Sequence, residues 1–255
     1  MLTPIKLTAV LTHPIQYYAP WFRHIQANAP DIDLTVVYAT QPTPEQQGVG
    51  FGRAFLWDVP LTHGYRSITV RSAEPGDRID SADFTGLDVA QIGRTIMETA
   101  PDVVLITGWY SATLVRALLW CRRLGVPVLW RGDSYLESAP RNWKRPFWRL
   151  KTHILLRQFD GFLSPGVRTT EYLRSFGVPD FRIYRVPHAV DNAMFAASAA
   201  IVRQPEARAA ARRGLGIDPD AFVPLFVGKL VPSKRPLHLV RAVSMLAPGA
   251  TLVIV

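Results

Sequence analysis

Gly228, Lys229, Lys234 and Arg235 crowd one short stretch, "GKLVPSKRP" (228–236), between the apolar run "FVPLFV" and a helix-like segment. A strand ending at Gly228 and followed by a helix aims backbone N–H groups at the loop between them. The two lysines add positive charge there, so the pattern predicts a diphosphate site. It is not a P-loop: GxxxxGK[ST] needs a second glycine ahead of the lysine, and here Ser233 precedes Lys234. Neither "GVGFG" nor any other stretch supplies GxGxxG after a strand.

Further candidates follow the apolar runs that read as strands, since open α/β sheets bind ligands beyond the carboxyl ends of their strands. In "THPIQYYAP" (12–20), His13 and Gln16 can hydrogen-bond a substrate while Pro14 stiffens the turn. The bland alternative has His13 capping local backbone and Tyr17 and Tyr18 packing in the core. In "GWYSAT" (108–113), Gly108 permits a tight turn and Ser111 is placed to cap a helix. Trp109 and Tyr110 either form a platform for a sugar or base or plug a seam between domains. In "RGDSYLE" (131–137), Arg131 and Asp133 at a strand end must be solvated, paired with each other, used as a cap or bound to a ligand. Adhesion through RGD would need an extracellular loop, which the context argues against.

The segment "RNWKRPFWRLKTHILLRQFDG" (141–161) interleaves Arg141, Lys144, Arg145, Arg149, Lys151 and Arg157 with Trp143, Phe147 and Trp148. Such a helix can lie on an anionic membrane or receive a lipid-phosphate acceptor. The helical spacing of Phe147, Leu150, Ile154 and Leu155 favours the plainer expectation, a core-packing helix with a solvated basic face.

Positioning these residues requires an alternating framework, and the chain has one. Strands are expected at 6–12, 33–39, 102–107, 126–131, 161–165, 221–228 and 250–255, with shorter runs around Ile68 and Ile183. Helices are expected near 17–28, 86–99, 111–124, 145–157, 167–176 and 235–246, so the fold class is α/β with a parallel sheet. Residues 41–85, rich in Pro, Gly and polar residues, form a long excursion. The alanine-rich, basic stretch after "YRVPHAVDNAMF" marks a boundary. The expected organisation is a domain over 1–195, a linker with a basic helix over 196–220, and the opening of a second α/β unit over 221–255. Two strands and one helix cannot cover both faces of a parallel sheet, so the second unit reads as incomplete.

Composition narrows the partners. A net charge of +9, from 29 Lys and Arg against 20 Asp and Glu, favours anionic partners. No RNP-like, zinc-finger or KH-like signature points to nucleic acid. The six histidines lack zinc-site spacing, so neither metal nor other cofactor is implied. The lone Cys121 sits in a helix-like run and reads as buried and structural. With no apolar run long enough to span a bilayer and no signal-like leader, the expected location is cytoplasmic.

Three stretches carry a resemblance. "LFVGKLVPSKRPLHLVRAVSML" (225–246), "RVPHAVDNAMF" (185–195) and "THPIQYYAPWFRHI" (12–25) are similar to motifs of GT-B fold glycosyltransferases of the retaining family-4 type. The resemblance implies two Rossmann-like domains, with the acceptor mainly on the first and the nucleotide-diphosphate sugar mainly on the second. It implies Lys229, where the family usually has arginine, and Lys234 steadying the leaving diphosphate without a metal. It also puts His188 and Asp191 of the junction motif beside the cleft. His188 and Ala189 replace the family's usual asparagine and glycine, and "HPIQ" replaces a glycine pair. The glutamate-containing donor motif has no counterpart, so the chain is expected to be a fragment inactive by itself. The expected reaction moves a sugar, with retention, to a saccharide, polysaccharide or lipid-linked acceptor, with peripheral contact to an anionic membrane a further expectation. A non-catalytic acceptor- or membrane-binding module, or a related sugar-nucleotide epimerase, remain the alternatives.

Overall fold

The computed structural model describes residues 3–79, 83–140, 142–246 and 250–255. Arg141 of the basic segment lies outside the described residues. The strands are β1 (Ile5–Leu11), β2 (Ile32–Gln41), β3 (Arg66–Ser72), β4 (Val103–Ile106), β5 (Val128–Arg131), β6 (Gly161–Ser164), β7 (Ile183–Arg185), β8 (Leu225–Phe226) and β9 (Val253–Ile254). The helices are α1 (Tyr18–Asn28), α2 (Pro44–Gln47), α3 (Ile92–Glu98), α4 (Ala112–Leu124), α5 (Arg145–Leu156), α6 (Val167–Ser175), α7 (Asn192–Val202), α8 (Pro205–Gly214) and α9 (Pro236–Ser244).

The chain folds into two compact units. The first holds the residues up to Gln46 together with Trp57–Val190; the second holds Gln47–Leu56 together with Asp191–Val255.

In the first unit, among the described residues, seven parallel strands form one sheet in the order β3-β2-β1-β4-β5-β6-β7. The apolar, β-branched runs make this arrangement possible. Val10, Val36, Val37, Val104, Ile106 and Phe162 are fully buried, as expected of strands covered by helices on both faces. Strand order reverses between β1 and β4, which leaves a crevice at their carboxyl ends.

Local chemistry sets the ends of α4. Ser111 accepts a hydrogen bond from the Leu114 N–H at its start, and Gly125 takes the left-handed conformation (φ 70°) at its end. Cys121 on this helix is buried, and burial pushes its thiol up to about 11. The helix expected from residue 86 begins only at Ile92; residues 87–89 form no regular element, and the Thr113 hydroxyl accepts from the Val89 N–H and donates to the Leu87 carbonyl.

One expectation about packing fails in part. The basic face is solvated and Leu155 is half-buried against the core, but Phe147, Leu150 and Ile154 on α5 are exposed, and the helix instead turns Thr152 and Leu156 inward and lays Trp148 against Tyr172 and Phe176. Periodicity announced an apolar face but not which of two apolar faces the core would take.

In the second unit, β8 and β9 pair in parallel over two residues each, shorter than the runs 221–228 and 250–255. The stretch 196–220 is largely helical, and α7 runs through position 195. α8 presents Arg212, whose guanidinium donates to the carbonyls of Pro219 and Ala221 and ties the following turn to the helix.

Candidate functional site

Residues that follow β1, β4 and β5 surround a cavity of about 400 Å³ in the first unit. Each wall has a local cause. After β4, Gly108 adopts φ 92°, a left-handed conformation that glycine takes without Cβ strain. That turn places Trp109 and Tyr110 side by side. Trp109 stacks on Trp130 of β5 with ring centroids 5.3 Å apart. The Tyr110 hydroxyl meets Thr12 Oγ1 at 2.8 Å, and Thr12 Oγ1 lies 2.9 Å from His13 Nδ1. These bonds join the ends of β1 and β4 across the reversal point.

Arg131 ends β5, is almost wholly buried and does not pair with Asp133. Its guanidinium donates to the carbonyl oxygens of Val186 at 2.8 Å and Pro187 at 3.2 Å, and lies over the Trp21 ring at 4.7 Å. It thereby anchors the segment leading to His188, which meets Tyr17 edge to face at 5.8 Å. Asp133 is exposed along the cavity wall and caps no helix among the described residues. Of the two bland expectations for this pair, neither holds, because the carbonyls of 186 and 187 claim the guanidinium first.

The electrostatics follow burial. Burial holds the Tyr17 hydroxyl above its ordinary range; the Asp133 charge adds to the effect and Arg131 opposes it. Tyr110 is raised by burial as well, against the bond from Thr12. Both phenols are therefore neutral near neutral pH. Among the described residues, two further donors at the wall, Trp130 Nε1 and Arg131 Nε, are buried without an acceptor.

The cavity thus gathers Trp109, Arg131, Asp133 and His188 from the sequence expectations. His13 stands behind the wall, bonded to Thr12, and Gln16 is half-buried in the turn before α1. Tyr17, expected in the core, lines the cavity with 40% of its surface exposed, whereas Tyr18 is buried as expected. Sequence reasoning missed Trp130, hidden within a strand, and Lys151, which reaches the cavity from α5. No spacing signal links Lys151 to the strand ends.

The second unit holds the remaining candidates. Gly228 adopts φ 145° and donates its N–H to the Val255 carbonyl at 3.0 Å, in register with the short sheet. Lys229 Nζ donates to the Val49 carbonyl at 2.9 Å and lies 4.9 Å from the Phe51 ring centroid. Lys234 closes a 3₁₀ turn and is exposed. At the start of α9, Pro236 has no backbone N–H and that of His238 bonds the Arg235 carbonyl. Asp191 caps α7, accepting from the Met194 N–H at 2.9 Å.

Among the described residues, no group of three or more His, Cys, Asp or Glu is gathered to hold a metal ion. Among them, too, no helix is long and apolar enough to cross a membrane.

Comparison with solved structures identifies the fold. The chain is similar to UDP-GlcNAc 2-epimerase from Neisseria meningitidis bound to UDP-GlcNAc, with a TM-score of 0.57 and 15% identity over 98% of this chain and 65% of that one. It is similar to HepE of Anabaena in complex with UDP-glucose, with a TM-score of 0.62 and 12% identity over 98% of this chain and 60% of that one. The epimerase of Methanocaldococcus jannaschii matches with a TM-score of 0.53 and 15% identity, over 98% and 65% of the two chains. The chain therefore spans less than two thirds of the length of these structures, and its fold is the Rossmann-like α/β arrangement of GT-B-type proteins. A search of curated protein sequences returned no match. The family model described as Glycosyltransferase Family 4 matches residues 23–193, the greater part of the chain and most of the sheet that builds the cavity, and the protein belongs to that family.

Proposed function

We propose that this protein serves the transfer of a sugar from a nucleotide-diphosphate sugar to a saccharide or lipid-linked acceptor, with retention at the anomeric carbon. The observation that carries the reading is the aromatic-walled cavity at the β1/β4 reversal in a chain of this family. We assign the cavity to the acceptor. Trp109 and Tyr17 offer ring faces to a sugar, Asp133 accepts from its hydroxyls, and the neutral phenol of Tyr110 donates. Lys229 and Lys234 in the second unit take the leaving diphosphate. Negative charge grows on the nucleotide as the glycosidic bond breaks, and fixed cations lower the barrier without a resident metal or cofactor. That similar folds are described with UDP or UDP-sugars supports a nucleotide-sugar donor.

The test separates the two halves by titration calorimetry against a panel of nucleoside diphosphates and saccharides. Removing both lysines (Lys229→Ala with Lys234→Ala) is expected to weaken nucleotide binding about tenfold or more, the worth of one to two charge-assisted bonds, and to spare saccharide binding. Asp133→Asn is expected to do the reverse. Retention is read from the anomeric coupling constant of the product. Free epimerised nucleotide sugar released without an acceptor would assign the protein to epimerase chemistry instead. Saccharide binding with no affinity for any nucleoside diphosphate would reduce it to a binding module.

A further inference from the structure

The exposed face of α5 has no use in the reading above. Trp143, just before the helix, is 74% exposed, and Phe147, Leu150 and Ile154 are 67%, 60% and 51% exposed. Residues spaced by four, three and four positions lie along one side of a helix, so these side chains form a continuous apolar stripe. Trp143 and Phe147 meet edge to face at 6.3 Å, and a shallow groove runs between Trp143, Phe147 and Trp148.

The charge around the stripe is of one sign. From Asn142 to Gln158 there is no Asp or Glu, while Lys144, Arg145, Arg149, Lys151 and Arg157 are all exposed. Among the described residues, none of the five pairs with a carboxylate, although the chain's arginines elsewhere, such as Arg116 with Asp88 and Arg174 with Asp180, do so. Lys144 and Lys151 line the groove, and Arg157 is exposed at the end of α5. A protein partner would be expected to bring carboxylates to a surface whose centre is poor in lysine. A row of Trp, Phe, Leu and Ile flanked by unpaired cations matches a headgroup layer, with rings and aliphatic tips below the phosphates and cations among them.

We propose that α5 docks flat on an anionic lipid surface through Trp143, Phe147, Leu150 and Ile154, held by Lys144, Lys151 and Arg157. Lys151 lines both the groove and the cavity at the strand ends. Docking therefore sets the mouth of the cavity at the level of the headgroups, and the acceptor it receives is borne by a lipid. This last step rests on the transfer reading above; the docking itself does not.

Vesicle sedimentation of the whole protein tests it. Binding is expected to phosphatidylcholine vesicles containing about 30 mol% phosphatidylglycerol, and to be lost on pure phosphatidylcholine and at high salt. Phe147→Glu with Leu150→Glu, both at exposed positions, is expected to reduce the partition coefficient at least about tenfold with unchanged circular dichroism. Lys144→Glu with Arg157→Glu is expected to do so by about 25-fold or more, at roughly a fivefold loss per removed charge. Equal binding to neutral vesicles, or variants that bind like the parent, would overturn the proposal. So would a protein that ignores vesicles and self-associates through this face in sedimentation velocity. Transfer to a water-soluble acceptor, with vesicle binding intact, would refute the lipid-borne acceptor alone and leave docking standing.

Discussion

The Arg131 guanidinium donates to the Val186 carbonyl at 2.8 Å, fifty-five residues along the chain, and to that of Pro187 beside it. This one buried side chain clamps the end of β5 to the segment that carries His188, so a charge at a strand end acts first as a structural tie. Arg131→Met removes both donors and leaves two carbonyls without partners. It is expected to lower unfolding free energy by about 3 kcal/mol in urea denaturation, the scale of lost charge-assisted hydrogen bonds. A loss below the error of the measurement would show that water replaces the clamp.

The buried hydroxyls of Tyr38 and Tyr65 lie 2.7 Å apart, and that of Tyr65 also donates to the Leu61 carbonyl. The chain of bonds is directional. Tyr65→Phe orphans the fully buried Tyr38 hydroxyl and is expected to cost about 1–3 kcal/mol. Tyr38→Phe leaves Tyr65 bonded to Leu61 and should cost less. Thermal denaturation of the two variants checks the order, and a reversed order would refute the assignment of donor and acceptor.

Alkaline pH should unfold the protein for a nameable reason. Burial pushes the Tyr172 phenol up to about 12, against the lowering bonds of Thr152 and Ser134, and burial raises Tyr18 and Tyr38 further still. In the unfolded chain these phenols ionise near their ordinary value of about 10. Above that pH the folded state binds more protons than the unfolded one, so stability, level below it, falls as pH climbs from there through the folded values. Melting temperatures measured across this range should decline, and Tyr172→Phe should flatten the decline. A melting temperature independent of alkaline pH would contradict the burial of these phenols.

Lys229 ties the segment Gln47–Leu56 to the rest of the second unit through the Val49 carbonyl and the Phe51 ring. Lys229→Ala is expected to change global stability by less than about 1 kcal/mol, the worth of an exposed cation–π contact. Amide exchange within 47–56 should nonetheless rise several-fold, because the tie is local. A diphosphate that takes the same ammonium should produce the same increase. Unchanged exchange in both cases would deny the lysine either role.

The sequence by itself determined the alternation of strand and helix and the identity of most of the sheet. Runs such as "DLTVVYA" and "DVVLIT" are apolar on both faces, and only a covered parallel strand uses such a run. Strand ends in turn pointed to Trp109, Arg131 and Asp133, since ligand sites in this architecture follow strand termini. What lay beyond it was decided by contacts distant along the chain. Lys151 reaches the cavity from a helix, and Gln47–Leu56 joins the unit of Asp191–Val255. Arg131 spends its donors on residues 186 and 187. Of the α5 residues that periodicity assigned to the core, Leu155 is half-buried there while Phe147, Leu150 and Ile154 are exposed, because Thr152 and Leu156 are buried in their stead and Trp148 lies against Tyr172 and Phe176. Local pattern reports that a face is apolar; which face finds a partner depends on the volume already filled, and that volume exists only once the chain has folded.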